Sequence, residues 1–269
     1  MEWIRSITFP TLLISSLCFF LLIAIASSDE VEDETVFTYI EGTGKGPKEW
    51  GQLDPHWKLC ETGKFQSPID VPNGKLRVVP SLGKLKKNYK PVPAVLKNRG
   101  HDIKIRWDGD AGKITVNGTD YKLIQCHWHS PSEHTFNGTR YQMELHMVHR
   151  SASGEMAVIS VFYKYGRPDP FLTKLFHDIK TVGEEEENLG IINPRDIKFN
   201  GRKYFRYIGS LTVPPCTEGV VWTLIQKVKT VSKEQVKALR DAVHDASGFE
   251  TNIRPTQPLD GRTVLFYAP

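Results

Sequence analysis

Between closely spaced turn signals, the chain carries short runs in which apolar and polar residues alternate. That is the period of a strand with one face buried. "HDIKIRW", "KITVNG", "YQMELHMVH", "MAVISVFYKY" and "VVWTLIQKV" are such runs, and "NGK", "DGDAG", "VNGTD", "FNGTR" and "SASGE" are the turns. Two helices are predicted as well. Asp169 caps a segment opened by Pro170 and running through "FLTKLFHDIKTV". Ser232, with Gln235 three residues on, forms a capping box ahead of "VKALRDAVHD". The acidic run Glu184 to Glu187 between them reads as a solvated loop. The expected fold is mainly β (mixed α/β): a single domain around a large twisted, mostly antiparallel sheet with a few peripheral helices.

Composition changes this picture little, except at the N-terminus. The 269 residues include 39% hydrophobic ones, enough for a sizeable core, and no internal repeat or low-complexity tract divides them. A net charge of +4 without a basic cluster argues against a nucleic-acid partner. "MEWIRSITFPTLLISSLCFFLLIAIASS" reads as a secretory signal: one early arginine, an apolar run, then the small residues Ala24-Ile25-Ala26. The run is long enough to span a bilayer, so an uncleaved anchor is the competing reading. The small-residue exit into the acidic "SDEVEDET" favours cleavage, leaving no stable membrane span. The expected organisation is a signal peptide over 1–28, an acidic tail over 29–36 and one domain over 37–269.

Secretion is consistent with the cysteines. After Cys18 leaves with the signal, Cys60, Cys126 and Cys216 remain, so at most one disulfide forms within the chain. Asn117-Gly-Thr and Asn137-Gly-Thr are glycosylation sequons, meaningful only in the secretory pathway.

The candidate chemistry lies in "QCHWHSPSEHTFNGTRYQMELHMVH", which holds five of the nine histidines. If "KLIQCHWHS" is a strand, His127 and His129 share a face about 6–7 Å apart, and Gln125 joins them while Cys126 and Trp128 point away. A lone His-x-His is usually an ordinary surface or core pair. The second alternating run changes that, because it puts Glu144, His146 and Val148 on one face. The intervening loop is long enough to return the chain antiparallel and bring His146 against the first pair. Three imidazoles at about 2 Å from one ion leave a fourth position open, the ligand set of a catalytic rather than a structural zinc. No thiolate shares that face, which disfavours softer metals. Gln125 and Glu144 are placed to hydrogen-bond the far nitrogens of the ligating rings. No His-Glu-x-x-His helix is present, so a zinc peptidase is not indicated.

"HWHSPSEHT…MELHMVH" with "SLTVPPCTEGVVW", together with "QSPID" and "RPTQPL", resembles the alpha-class carbonic anhydrases over about Phe37 to Phe266. The flavour is that of plant members, a group that includes the dioscorins (yam storage proteins) and the nectarins. The resemblance implies zinc-dependent reversible hydration of carbon dioxide to bicarbonate and a proton, with His127, His129 and His146 as ligands. It implies that Gln125, Glu144 and the carbonyl of Asn252 orient those rings. Thr212, donating to Glu133, would position the metal's solvent ligand, and Tyr39 would help order nearby water. His101 would relay protons, its ordinary pKa suiting neutral pH; without the resemblance it reads as a surface residue. Leu211, Val148, Val158, Val220 and Trp222 would form an apolar wall for carbon dioxide. Val213 stands where many members carry a second hydroxyl.

Arg99 and Lys104 replace neutral residues near His101 and are expected to lower its pKa and slow proton export. Activity is therefore expected without a high turnover, and weak ester hydrolysis is a plausible side reaction. The resemblance also pairs Cys60 with Cys216, leaving Cys126 as a buried thiol. The alternative is a storage or binding protein on the same scaffold, since fold does not dictate function. A storage derivative is free to lose a histidine, and this chain keeps all three. The apoplast, the vacuole or a plastid reached through the secretory pathway are the expected destinations. No oligomeric state is assigned from the sequence.

Overall fold

The computed structural model describes residues 30, 36–72, 76–243 and 251–269. The predicted signal peptide, the acidic tail apart from Glu30 and Val36, the "NGK" turn at 73–75 and the end of the second predicted helix lie outside the described residues.

The alternating runs form one large sheet of thirteen strands. Its central path runs Glu187–Ile192, Val92–Asn98, Ile103–Trp107, Thr119–His129, Met143–Ser151, Met156–Tyr165, Glu218–Ile225, Tyr204–Ser210, Leu265–Tyr267 and Arg77–Val78. Most pairings are antiparallel, as hairpin turns require. Among the described residues, the parallel pairings of this sheet are Met156–Tyr165 with Glu218–Ile225 and with Lys229–Val231, and Leu265–Tyr267 with Arg77–Val78. A parallel neighbour needs a long crossover. The stretch between Tyr165 and Glu218, with its helices and outer strands, supplies one. The sheet is therefore mixed, within a mainly β fold.

Alternation sorts the two faces as predicted. Cys126, Trp128, Leu145, Met147, Ile159 and Val161 point into the main core. Val148, Val158 and Trp222 belong to a second apolar cluster on the opposite face, the one that carries the histidines. Each fully buried aliphatic or aromatic side chain contributes about 1.5–3 kcal/mol, so a strand slipped by one residue would exchange both sets at prohibitive cost.

Both predicted caps are present. Ser232 accepts from Gln235 N and Gln235 reaches back, opening the helix Lys233–Ala242. Asp169 accepts from Phe171 N and Leu172 N, but the segment divides into Pro170–Lys174 and Phe176–Thr181, with Leu175 between them outside the helical geometry. Gln235 Oε1 also accepts from Asp169 N at 2.8 Å, which ties the two helix starts together. Glu184 to Glu186 are exposed as expected, whereas Glu187 opens the edge strand. Near the N-terminus, Phe37, Tyr39, Trp50 and Trp57 pack into a third cluster with the disulfide-bonded Cys60 and Cys216. Cys126 is a buried free thiol. No helix of the described residues is long and apolar enough to cross a membrane.

Candidate metal centre

The strands Thr119–His129 and Met143–Ser151 are antiparallel neighbours, with His146 opposite His127 and Glu144 opposite His129. This register turns three imidazoles towards one point. The ring centroids of His129 and His146 are 4.5 Å apart, those of His127 and His129 5.0 Å, and those of His127 and His146 5.3 Å. One nitrogen from each ring lies within 4.8 Å of the other two.

The remaining nitrogens are held from behind. His127 Nδ1 meets Gln125 Oε1 at 2.9 Å, His129 Nδ1 meets the Asn252 carbonyl at 2.7 Å, and His146 Nε2 meets Glu144 Oε1 at 2.8 Å. These bonds leave His127 Nε2, His129 Nε2 and His146 Nδ1 to face one another. His129 Nε2 is buried with no hydrogen-bond partner. A buried nitrogen left in this way is costly, and a cation at the centre would satisfy it. The donor set of three imidazoles, each fixed by a hydrogen bond from behind, suits zinc.

Burial favours the neutral ring at two of the three histidines. Burial presses His127 well below the ordinary imidazole range, and burial likewise lowers His146 against the pull of Glu144. At His129 burial acts downwards, but Glu133 and the Asn252 carbonyl more than offset it and raise the ring. Burial pushes the Glu144 carboxyl up, yet His134 and His146 outweigh that and hold it well below the carboxylate range.

Sequence reasoning gave no place in this network to Ser160, Tyr207 or Arg254, and read His134 as structural. Ser160 stands opposite His146 and donates to Glu144 Oε1 at 2.5 Å. His134 meets the same oxygen at 2.7 Å and Tyr207 Oη at 2.7 Å. A serine in the otherwise apolar "MAVISV", on the histidine face, was the available signal. Arg254 had no comparable signal, because a lone arginine before a proline reads as surface. It is 1% exposed, and its guanidinium donates to Gln66 Oε1 and to the carbonyls of Ser67 and Cys60.

Glu133 departs from expectation. Among the described residues it forms no hydrogen bond with Thr212. Its Oε1 accepts from Arg254 N at 2.8 Å, and its Oε2 is buried without a hydrogen-bond partner, 3.6 Å from His129 Nε2. The carboxylate is drawn towards the imidazoles rather than the threonine. Thr212 itself is buried in the turn that follows Leu211 and carries Val213.

The apolar residues named from the sequence lie together. Val158 is opposite both Val148 and Trp222, so the three stand abreast across three strands. Trp222 packs on His146 with ring centroids 4.8 Å apart. Leu211 and Val220 join the same cluster, while Val213 packs with the N-terminal aromatics.

His101 is not a surface residue. It is 3% exposed, because Phe37 lies over it at 5.1 Å between centroids and Tyr39 at 6.4 Å. Asn252 Nδ2 donates to the His101 carbonyl at 2.9 Å, coupling this hairpin to the loop that orients His129. The cationic influence expected of Arg99 is largely compensated. Its Nε and Nη2 donate to Asp102 at 2.7 and 2.5 Å, and its Nη1 to Glu30 at 2.8 Å. Burial pushes the Asp102 carboxyl up, but Arg99 first, and then His101 and His127, hold it well below its ordinary value.

A family profile of eukaryotic-type carbonic anhydrases matches residues 45–268. The chain is 57% identical over 263 residues to "Alpha carbonic anhydrase 4" of Arabidopsis thaliana, covering 96% of this chain and 97% of that protein. It is 46% identical over 274 residues to "Carbonic anhydrase Nec1" of Nesocodon mauritianus, covering 99% and 98%. Among solved structures, dioscorin complexed with ascorbate superposes with a TM-score of 0.83 at 41% identity, over 86% of this chain and 98% of that one. An alpha-carbonic anhydrase from Thermovibrio ammonificans in complex with sulfanilamide gives 0.78 at 35% identity, over 85% and 98%. The chain belongs to the eukaryotic-type carbonic anhydrase family.

Proposed function

We propose that this protein catalyses the zinc-dependent, reversible hydration of carbon dioxide to bicarbonate and a proton, with His127 Nε2, His129 Nε2 and His146 Nδ1 holding the metal. The observation that carries this reading is the convergence of three imidazole nitrogens whose partners behind them are all engaged. Zinc would supply a bound water acidic enough to ionise at a pH of about 7, a property for which carbonic anhydrase is itself the standard example.

The protein's own residues do the rest. Val148, Val158, Leu211, Val220 and Trp222 present an apolar wall beside His146, which gives carbon dioxide a weakly hydrated place and keeps competing water away. Val213 packs with the N-terminal aromatics instead of in this wall, and contributes no hydroxyl. Thr212 Oγ1 would orient the metal's solvent ligand by accepting a hydrogen bond from it, and Glu133 Oε2, which lies 3.6 Å from His129 Nε2, would accept the Thr212 hydroxyl once turned from the imidazoles. The Arg254 N–H occupies the other Glu133 oxygen and leaves Oε2 available for that contact. The His101 imidazole accepts the released proton through water, with Tyr39 helping to order that water. Asp102 and Glu30 pair with Arg99 beside His101.

Passage through the secretory pathway is part of the proposal: signal cleavage near Ala26 to Ser28, then the apoplast, the vacuole or a plastid. Asn117 and Asn137 both sit exposed in asparagine-glycine turns. The likeness to dioscorin keeps a storage role in view. The test is carbon dioxide hydration by purified protein of known zinc content; a fully metallated protein with no activity would favour storage.

A further inference from the structure

The wall beside His127 carries more charge than hydration of carbon dioxide requires. Lys104 is opposite His127 and Arg106 opposite Gln125 in the neighbouring strand, and Arg99 lies in the hairpin that ends at Ile103. The Arg99 side chain is 1% exposed. Glu30 reaches this wall from the far N-terminal side, with its own side chain 9% exposed. A single oxygen, Glu30 Oε2, accepts from Arg99 Nη1 at 2.8 Å and from Gln125 Nε2 at 3.0 Å, and it lies 3.9 Å from His127 Nδ1. The other end of the Gln125 amide accepts from His127 Nδ1 at 2.9 Å. The Glu30 carboxylate therefore stands two hydrogen bonds from a ring assigned to the metal.

We propose that Arg99 and Gln125 form a carboxylate-binding subsite beside the metal centre, filled in cis by Glu30, for which small free carboxylates compete. Its position beside a metal rests on the function proposed above; the subsite itself does not. The recognition chemistry is specific. A buried guanidinium braced on Asp102 through Nε and Nη2 turns its Nη1 to this point, and an amide whose oxygen is committed to His127 can present only its NH₂. Both donors are thereby pre-aimed at one anionic oxygen, and neither accommodates a cation. Because Glu30 belongs to the same chain, it fills the subsite intramolecularly. A free carboxylate of similar intrinsic affinity must displace it.

The test uses the secreted, zinc-loaded protein and its Glu30→Gln variant, with succinate binding followed by titration calorimetry at low ionic strength. With the internal competitor removed, the variant should bind succinate about tenfold more tightly than the parent, and added salt should shrink the difference. In the double variant carrying E30Q and R99K, charge is kept but the guanidinium fork is lost, and the gain should disappear. Equal succinate affinity for the parent and E30Q would overturn the proposal. A gain that persists in the double variant would overturn it too, because the anion would then sit elsewhere. Failure of the enzymatic reading is separable: a protein that does not hydrate carbon dioxide yet shows the tightened succinate binding refutes that reading and leaves the subsite standing.

Discussion

Each proposed metal ligand is fixed by one hydrogen bond from behind, so these residues have unequal but predictable weights. His146→Asn removes a donor outright and should abolish stable zinc retention, checked by metal analysis after dialysis. Gln125→Ala keeps all three imidazoles but frees the far nitrogen of His127, and should weaken zinc affinity by about 10–100-fold. His101→Ala should lower kcat, leave kcat/KM little changed and regain rate in imidazole buffer; an equal loss in both parameters would argue against a relay. At this scale the sequence showed what alternation and spacing can show: His127, His129, His146, Gln125 and Glu144 share a face because side chains repeat every second residue. Contacts between segments distant in the chain were not legible. Nothing in "SDEVEDET" announces that Glu30 meets Arg99 and Gln125, and Arg254 has no local signature of burial. Glu133 was expected to bond Thr212, but its carboxylate is drawn instead to the Arg254 N–H and towards His129.

Among the elements, the helix Lys233–Ala242 depends on its start. Ser232 and Gln235 satisfy each other's backbone N–H groups, and Gln235 also engages Asp169 through both ends of its amide. Ser232→Ala should cost about 1 kcal/mol by denaturant titration. Gln235→Ala should cost more, because it leaves Asp169 N and its carbonyl without their amide partner in a buried setting. These caps were legible in the sequence because they are local chemistry within three or four residues. The interruption at Leu175 was not, because the apolar positions Phe171, Leu172, Leu175 and Ile179 keep a helical spacing across it. The parallel pairing of Met156–Tyr165 with Glu218–Ile225 was equally hidden, since it depends on where a long crossover returns rather than on any strand's own pattern.

For the molecule as a whole, two features set stability. The Cys60–Cys216 bond closes a loop across 156 residues of sequence. Reduction should destabilise the protein by roughly 4–5 kcal/mol in the chain-entropy picture, and by less if the unfolded chain keeps structure. His149 is buried with Nε2 against Tyr89 Oη at 2.8 Å and Nδ1 against the Ala157 carbonyl at 3.2 Å, and burial lowers its pKa to about 4. The unfolded chain binds a proton at its ordinary value near 6.5, so between those limits unfolding takes up a proton. The stability due to the neutral ring is complete above the unfolded value and is lost as pH falls towards 4. Urea midpoints measured from pH 6.5 down to 4.5 should fall more steeply for the parent than for His149→Gln.

The central claim is that three imidazoles hold a zinc ion on which carbon dioxide hydration depends. Its most direct test is the hydration rate of one purified preparation at known metal content, before chelation, after chelation and after zinc is restored. We predict close to one zinc per chain, activity that disappears with the metal, and recovery on its return. Undiminished hydration by the metal-free protein would contradict the account.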